Sequence, residues 1–440
     1  MPISSFLGIQ TALRGMIAQQ EALDTTSHNV ANSATPGYSR QQVDLNASHA
    51  LTIPVNSQEG VGAQIGTGVD VAAISRIRNQ FLDVQYRGQN TTLGNATQES
   101  ATLGNAETAF DEPSRTGISA QLSNFWNDWS SLANATDSTR TAAQQALVDD
   151  AGTLTDTFNT LANELRTDQS DAQTQYDSLT GANGTVATDA RQLAALNDAI
   201  SHAVAVGQSP NDLMDQRDQL IDQLSSLANV SVTDLGNGAE RVDFGGVTLV
   251  DPTATNGYTW PQTLTNPGGQ LGALQDLASP TGRIAGYLSQ LDDVANRLVT
   301  AVNGLQPGRP FFDPAGTTAS TIRVVAAPAD VQTGTSGDSG DVTLANQIAQ
   351  LRGGTVDQTY NALVAQVGSD VQGANAGEAN AQALVDATQD SRDSVSGVSI
   401  DEEVTNLMTF QRGYQACARA LTTMDQDLDT LINRTGTVGL

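Results

Sequence analysis

Apolar residues recur at intervals of seven near both ends of the chain. At this spacing they form a narrow stripe on one side of a helix, and a partner helix normally buries such a stripe. We therefore predict that the two termini pair as a coiled coil, with the rest of the chain inserted between them. The stripe residues are Ile9, Leu13, Met16, Leu23 and Val30 near the N-terminus, and Leu407, Phe410, Tyr414, Leu421, Met424 and Leu428 near the C-terminus.

A turn ends the first stripe. Pro36 disfavours helical geometry at Thr35, and the pair Pro36 and Gly37 suits the two central positions of a type II turn. Beyond the turn, Tyr38 and Val43 stand among polar residues, as in a half-exposed strand. The sequence thus predicts a helix, a tight turn and a strand, in that order.

The composition limits the classes of partner. The formal net charge is −28, and the 20 basic residues are all arginine. Binding to nucleic-acid phosphates or to an anionic membrane is electrostatically opposed, so we expect neither partner.

The single cysteine, Cys417, excludes an intramolecular disulfide. The three histidines show no ligand spacing with one another or with Cys417, and no catalytic constellation stands out. We expect no enzymatic activity, no cofactor and no metal site.

The spacing of apolar residues changes twice in the middle of the chain. Ile74, Ile77, Phe81 and Val84 have helical spacing, which predicts a helix beginning at about Asp70. Sparse but regular apolar residues continue this helical pattern to about residue 229. Short apolar runs separated by glycine-rich turn signals then favour β structure, and helical spacing returns after residue 340.

These patterns predict a mainly α fold with a β-rich outer domain. The predicted domains are a terminal coiled coil (1–65 plus 398–440), a stem of long helices (66–229 plus 341–397) and an inserted α+β domain (230–340). We also expect a flexible connection around Gly60, Gly62, Gly66 and Gly68, and a loose tail after Ile432. At 440 residues the chain is long enough for this plan.

The segment around the turn resembles the signature of the bacterial flagellar axial proteins, which are the rod, hook and hook-associated subunits. Their motif reads roughly Asn-x-Ala-Asn-x-x-Thr-Pro-Gly-Tyr. Residues 401–407 with 410–416 look like the matching C-terminal signature, and residues 211–220 and 268–274 are similar to segments of a hook-associated member at the hook–filament junction. The matching residues of the first motif are Asn29, Ala31, Asn32, Thr35, Pro36, Gly37 and Tyr38.

This resemblance implies a structural adaptor at the junction between hook and filament. It implies self-association into a ring, contacts with the hook protein and the next hook-associated junction protein, and an export chaperone on the C-terminal helix. It also implies an extracellular location on the flagellum, reached through the flagellar export channel. Residues 1–20 show no signal-peptide pattern, which fits export without a cleaved signal peptide.

Two alternatives remain open from the sequence. A hook or distal-rod subunit would share both terminal signatures but is expected to lack the segment 212–220. A surface-displayed enzyme on the flagellum would carry its activity in the outer domain, where residues 231–340 show no convergent acids, bases or metal ligands.

Overall fold

The computed structural model describes residues 5–52, 64–336, 338 and 340–434, and within them the chain is mainly helical. The predicted glycine connection and the predicted tail lie partly outside these residues. The helices are α1 Ser5–Ala31, α2 Gln80–Phe110, α3 Ile118–Ala133, α4 Arg140–Thr180, α5 Thr185–Ala205, α6 Asn211–Leu227, α7 Gly269–Ala278, α8 Arg283–Gly304, α9 Thr343–Ala349, α10 Thr355–Ser396 and α11 Ile400–Asp429. The strands are β1 Gln41–Ala47, β2 Leu51–Thr52, β3 Gln64–Ile65, β4 Val69–Arg76, β5 Val230–Asp234, β6 Glu240–Phe244 and β7 Val247–Val250.

The segment predicted to begin a helix near Asp70 is instead strand β4. It pairs antiparallel with β1, and Ile74 lies opposite Val43. Helix α2 begins only at Gln80, where the Asn79 side chain accepts a hydrogen bond from the Phe81 amide and caps the helix. The helical prediction at Ile74 was wrong because pairing with strand β1 satisfies the backbone hydrogen bonds of this segment.

Among the described residues of the range 230–340, strands β5, β6 and β7 form one three-stranded antiparallel sheet in that order. Isolated bridges join Val250 to Tyr258 and Phe312 to Val324. Helices α7 and α8 follow the sheet and pack against α2, α4 and α10. Their buried side chains, such as Leu274 and Leu291, belong to the same hydrophobic cluster as those of α3 and α4. The β-rich prediction for this range therefore holds for its first part only, because the later apolar residues face helices. The division into three domains stays a prediction.

Aromatic side chains occupy the centre of this cluster. The ring centroids of Phe125 and Trp126 are 5.0 Å apart, and those of Phe311 and Phe312 are 4.9 Å apart. Trp126 is fully buried, and its indole nitrogen donates a hydrogen bond to Asp357 in the first turn of α10. Trp129 packs on Phe125 and Phe311 as well, so these rings form one well-packed part of the helical core.

Helix α2 approaches α6 so closely that a glycine is needed at the contact. A Cβ atom at Gly94 would overlap the Ser226 carbonyl oxygen and lie 2.9 Å from its carbon. We expect Gly94→Ala to lower the free energy of unfolding by about 3 kcal/mol, because backbone must move to make room. Gly104→Ala in the same helix faces open space and is the matched control, with an expected gain of about 0.5–1 kcal/mol. Urea unfolding of both variants tests this, and equal losses would contradict the close contact.

A carboxyl pair between α3 and α4 should make stability depend on pH. Burial, and then the neighbouring Asp150, raise the pKa of Asp128 to about 7. An acid whose pKa is raised in the folded state keeps a proton that the unfolded chain loses above about pH 4, so stability falls as the pH rises from there to 7. We expect Asp128→Asn to raise the melting temperature at pH 8 and to change it little at pH 4. Exposed Asp149→Asn is the control, and an equal shift at both pH values would contradict the assignment.

Candidate functional site

Helices α1 and α11 lie side by side and run in opposite directions. A Cβ atom at Gly8 would lie 3.0 Å from Met424, and one at Gly15 would lie 3.0 Å from the Cys417 sulfur. Seven residues forward along α1 therefore correspond to seven residues backward along α11. Helices α1 and α11 therefore contact each other, while their pairing as a coiled coil stays a prediction.

Small residues of α1 make much of this contact. Ala18 and Ala22 are each 1% exposed, whereas Leu13 is 45% exposed. The other predicted N-terminal stripe residues, Ile9, Met16, Leu23 and Val30, are half-buried. The predicted residues of α11 are also half-buried, and these are Leu407, Phe410, Tyr414, Leu421, Met424 and Leu428. Most of the larger side chains thus keep part of their surface accessible, although Met424 lies against Gly8 of α1. Their role in contacts with other subunits stays a prediction.

Asn29, the first signature residue, joins four segments of the chain. It is buried, and its side-chain nitrogen donates to the Gln41 carbonyl at 2.8 Å and to Glu403 Oε2 at 3.2 Å. Its oxygen accepts from the Tyr38 hydroxyl at 2.8 Å and from the Gln41 amide at 2.9 Å. Only a neutral amide side chain offers donors and acceptors together in this arrangement. Asn29 therefore ties α1 to the turn, to β1 and to α11.

The remaining signature residues shape the turn itself. The Tyr38 amide donates to the Thr35 carbonyl at 3.2 Å, and Gly37 has a φ of 77°, so the type II turn is confirmed. The Thr35 hydroxyl donates to Asn32 Oδ1 at 3.2 Å, which ties the turn to the end of α1. Ala31 and Pro36 are exposed. The turn directs the chain from the end of α1 into β1.

Two aspartates of helix α6 accept hydrogen bonds from residues that follow this turn. The Ser39 amide and hydroxyl donate to the two carboxylate oxygens of Asp215 at 2.9 and 2.8 Å. Gln41 Nε2 donates to Asp212 at 2.9 Å. The side-chain nitrogen of Asn211 donates to the Ile74 carbonyl at 2.9 Å. The segment 211–220, noted in the sequence for its resemblance, thus holds the signature turn and strand β4 against the helical body.

Four arginines and four aspartates form a connected group beside this contact, which we call the arginine–aspartate network. Their side chains are between 8% and 16% exposed. The group joins the end of β4, the start of α2, one face of α6 and the end of α10, and its formal charges balance. The N–O distances are 2.7 Å for Arg76–Asp215, 2.8 Å for Arg76–Asp218, 2.7 Å for Arg78–Asp83, 2.7 Å for Arg78–Asp218, 3.2 Å for Arg87–Asp218, 2.6 Å for Arg87–Asp222, 3.0 Å for Arg392–Asp83 and 2.8 Å for Arg392–Asp222.

Electrostatics keeps this network charged despite its burial. Burial disfavours the Asp218 carboxylate, but Arg78, Arg76 and Arg87 outweigh burial and lower its pKa below the ordinary value. Burial likewise opposes the charge on Arg78 and Arg87, yet the aspartates raise the pKa of both guanidinium groups. Each charge is therefore stabilised mainly by its partners, and removing one partner leaves the others unbalanced.

The sequence analysis missed this network. Its visible signal is the spacing of Asp215, Asp218 and Asp222, which puts three carboxylates on one face of a helix. In a chain with 48 acidic residues that spacing did not stand out. The arginines come from three other segments, so their convergence depends on the tertiary fold.

Neither a metal-binding cluster nor a membrane-spanning helix is found in the part of the chain that the structure describes. No cluster of three or more His, Cys, Asp or Glu side chains there could hold a metal ion. No helix there is both long and apolar enough to cross a membrane.

Three protein-family models match three separate regions of the chain. Residues 9–38 match the flagella basal body rod protein, and residues 389–434 match the flagellar basal body rod FlgEFG protein C-terminal region. Residues 103–267 match the flagellar hook-associated protein FlgK helical domain. The paired terminal helices and the signature turn define a structural subunit of the bacterial flagellum, of the class that includes the rod and hook proteins.

Similar proteins with curated names indicate which kind of flagellar subunit the chain resembles. Flagellar hook-associated protein 1 of Bacillus subtilis is 28% identical over 99% of both chains. The proteins of that name from Salmonella typhimurium and Escherichia coli are 32% and 30% identical over 64% of this chain, which spans about half of their length (47%). Similarity to a flagellar hook-associated protein 1 therefore extends over nearly the whole chain. The flagellar hook junction protein FlgK of Burkholderia pseudomallei superposes over 51% of this chain and 43% of its own, with a TM-score of 0.43 and 22% identity.

Proposed function

We propose that this protein is the structural adaptor that joins the flagellar hook to the filament. The observation that carries the proposal is the helix pair α1–α11. The Asn29 contacts and the signature turn hold this pair against the helical body, which has its own hydrophobic core. Such a subunit can present its terminal pair to neighbours while the body stays folded. Resemblance along the whole length to a hook-associated protein 1 supports the junction position.

The proposed assembly is a ring of copies in which the N- and C-terminal helices of each copy pair as a coiled coil and line the inside of a tube. The stripe residues of α1 and α11 would contact neighbouring subunits, including the hook protein on one side and the next hook-associated junction protein on the other. Half-burial of these residues in the isolated chain leaves apolar surface for such contacts. The region 230–340, with its small sheet and two helices, would face outward.

The proposed route to this position is export through the flagellar channel without a cleaved signal peptide. An export chaperone would hold the C-terminal segment Ile400–Asp429, which has exposed apolar residues along one side. The role is structural, and the proposal includes no catalytic step.

Antibody labelling of isolated flagella tests the proposed position. Gold-conjugated antibodies against the full chain are expected to mark a narrow band at the distal end of the hook, with a rod-protein antibody as the positional control. Label along the whole hook, or at its base, would contradict the junction role and favour the hook or distal-rod alternative.

A further inference from the structure

Four asparagines of the chain are each followed directly by glycine, and these are Asn183, Asn237, Asn256 and Asn303. Glycine has no side chain to shield its backbone nitrogen, so that nitrogen can approach the side-chain carbonyl carbon of the asparagine before it. Attack at this carbon closes a succinimide ring and expels ammonia. The contacts that the fold gives each pair therefore decide which asparagine reacts first.

Two of the four glycine nitrogens already donate a hydrogen bond. The backbone nitrogen of Gly184 donates to the Gly181 carbonyl at 2.9 Å, and that of Gly257 donates to the Ala254 carbonyl at 3.0 Å. Each nitrogen must give up this bond before it can attack the preceding side chain. The fold therefore slows the reaction at Asn183 and at Asn256.

At Asn303 the fold restrains the side chain instead. Its oxygen accepts hydrogen bonds from the Phe311 and Phe312 amides at 2.9 and 3.0 Å. Its nitrogen donates to the Phe312 carbonyl at 2.9 Å. The carboxamide must leave all three partners to rotate toward Gly304, which is the last residue of α8. This asparagine is therefore held away from the reaction.

Asn237 lies in the turn between β5 and β6 and has neither restraint. The residue is exposed, and among the described residues the Gly238 N–H donates to no acceptor. The Ala239 amide donates to Asn237 Oδ1 at 3.1 Å. This oxygen gains negative charge when the carbon that carries it is attacked, so the same N–H stabilises the intermediate. The free nitrogen and the polarised carbonyl both favour reaction at this pair.

We propose that Asn237 is a site of spontaneous deamidation and that it reacts first of the four asparagines in the folded protein. The Gly238 nitrogen forms a bond to Asn237 Cγ and gives its proton to hydroxide. The bond from Cγ to the side-chain nitrogen then breaks, and that nitrogen leaves as ammonia. Water opens the succinimide at either carbonyl, which gives aspartate or isoaspartate. The net change consumes water and releases ammonia, and it does not depend on the position of the protein in the flagellum.

The modification would weaken the contact between this turn and helix α6. Arg217 of α6 is 3% exposed, and its Nη1 donates to the Gly238 carbonyl at 2.6 Å. Isoaspartate adds a methylene group to the main chain directly before Gly238, which displaces that carbonyl from Arg217. An ordinary aspartate leaves the main chain unchanged, and its carboxylate can still accept the hydrogen bond from Ala239. Isoaspartate is therefore the product that changes the structure.

Peptide mapping of the full chain during incubation in mildly alkaline buffer tests the site. Cleavage after arginine places the four asparagines in four different peptides, so mass spectrometry follows each one separately. We expect Asn237 to deamidate about two- to tenfold faster than Asn183 or Asn256, because a hydrogen bond on the attacking nitrogen opposes the reaction at those two. In denaturant, where no fold restrains the pairs, the four rates should converge.

Equal rates at Asn237 and Asn256 in the folded chain would overturn the proposal, as would a faster reaction at Asn303 than at Asn237. Asn237→Ser lacks the reacting carboxamide and is the control, so an isoaspartate methyltransferase should label the aged variant much less than the aged wild type. Equal labelling would count against the site.

Thermal unfolding tests the structural effect of the modification. The aged wild type should melt below the fresh wild type, whereas fresh Asn237→Asp should melt close to it. An aged chain that carries isoaspartate at this position and melts unchanged would contradict the loss of the Arg217 contact.

Discussion

Replacing Asp218 by asparagine is expected to lower the free energy of unfolding by about 3–5 kcal/mol at pH 7. Asp218 contacts Arg76, Arg78 and Arg87, and its carboxylate is nearly enclosed by them. An asparagine keeps the shape but not the charge, so the buried arginines lose a counter-charge that solvent cannot replace. Denaturant unfolding of the purified full chain, followed by circular dichroism, measures the loss.

Asp212→Asn is the matched control on the same helix. Its side chain is 59% exposed, and an asparagine can still accept the hydrogen bond from Gln41. We expect it to change the free energy of unfolding by less than about 1 kcal/mol. Similar losses from the two substitutions would mean that the arginine–aspartate network does not act as a buried unit.

The loss caused by Asp218→Asn should itself depend on pH. The arginines hold the pKa of Asp218 below its ordinary value, so its carboxylate contributes stability that is fully present above the unfolded pKa of about 4. That contribution disappears as the pH falls through the lower pKa of the folded state. The difference between wild type and variant should therefore shrink in acid, and a constant difference from pH 7 to pH 3 would contradict this account.

Leu421→Asp is expected to abolish filament growth while the helical body stays folded. Leu421 is half-buried, three residues before Met424, which lies against α1 at Gly8. Complete burial of a leucine side chain contributes about 2 kcal/mol, which corresponds to roughly thirtyfold in an association constant, and a buried carboxylate adds to that loss. Because every copy in the proposed ring carries the same substitution, the loss would recur at each contact between copies. Electron microscopy of a complemented deletion strain counts the filaments.

Gln426→Asp adds the same carboxylate at an exposed position on the same helix and is the control. It should support normal filaments. Leu23→Asp, on the other helix of the pair, should reproduce the Leu421→Asp defect. Unchanged far-ultraviolet circular dichroism would show that the body of each variant is folded. Normal filaments from either leucine variant would contradict a role of the stripe residues in assembly.

Local patterns predicted the two terminal helices and the turn that follows the first of them. A seven-residue repeat reports one face of a helix, and Pro36 with Gly37 fixes a turn through backbone sterics alone. Ile74 shows where such reasoning fails, since its spacing fits a helix equally well and only pairing with Val43 makes it a strand. A short apolar segment leaves that choice to its tertiary partner.

The contacts that hold the terminal pair to the body could not be read from local sequence. Arg392 reaches Asp222 across 170 residues, and Asn29 reaches Glu403 across 374. The seven-residue rule also favours large side chains, so it did not identify Gly15 as the residue that lets α1 approach Cys417. Such positions depend on which segments the fold brings together.

The measurement that tests the central claim most directly is a clean deletion of this gene in its host, with electron microscopy of the flagella and an assay of the medium for flagellin. We predict intact hooks without filaments, flagellin released into the medium, and rescue by the wild-type chain. Absent hooks would contradict the junction role and place the protein in the rod or hook. Normal filaments in the deletion strain would contradict any structural role in the flagellum.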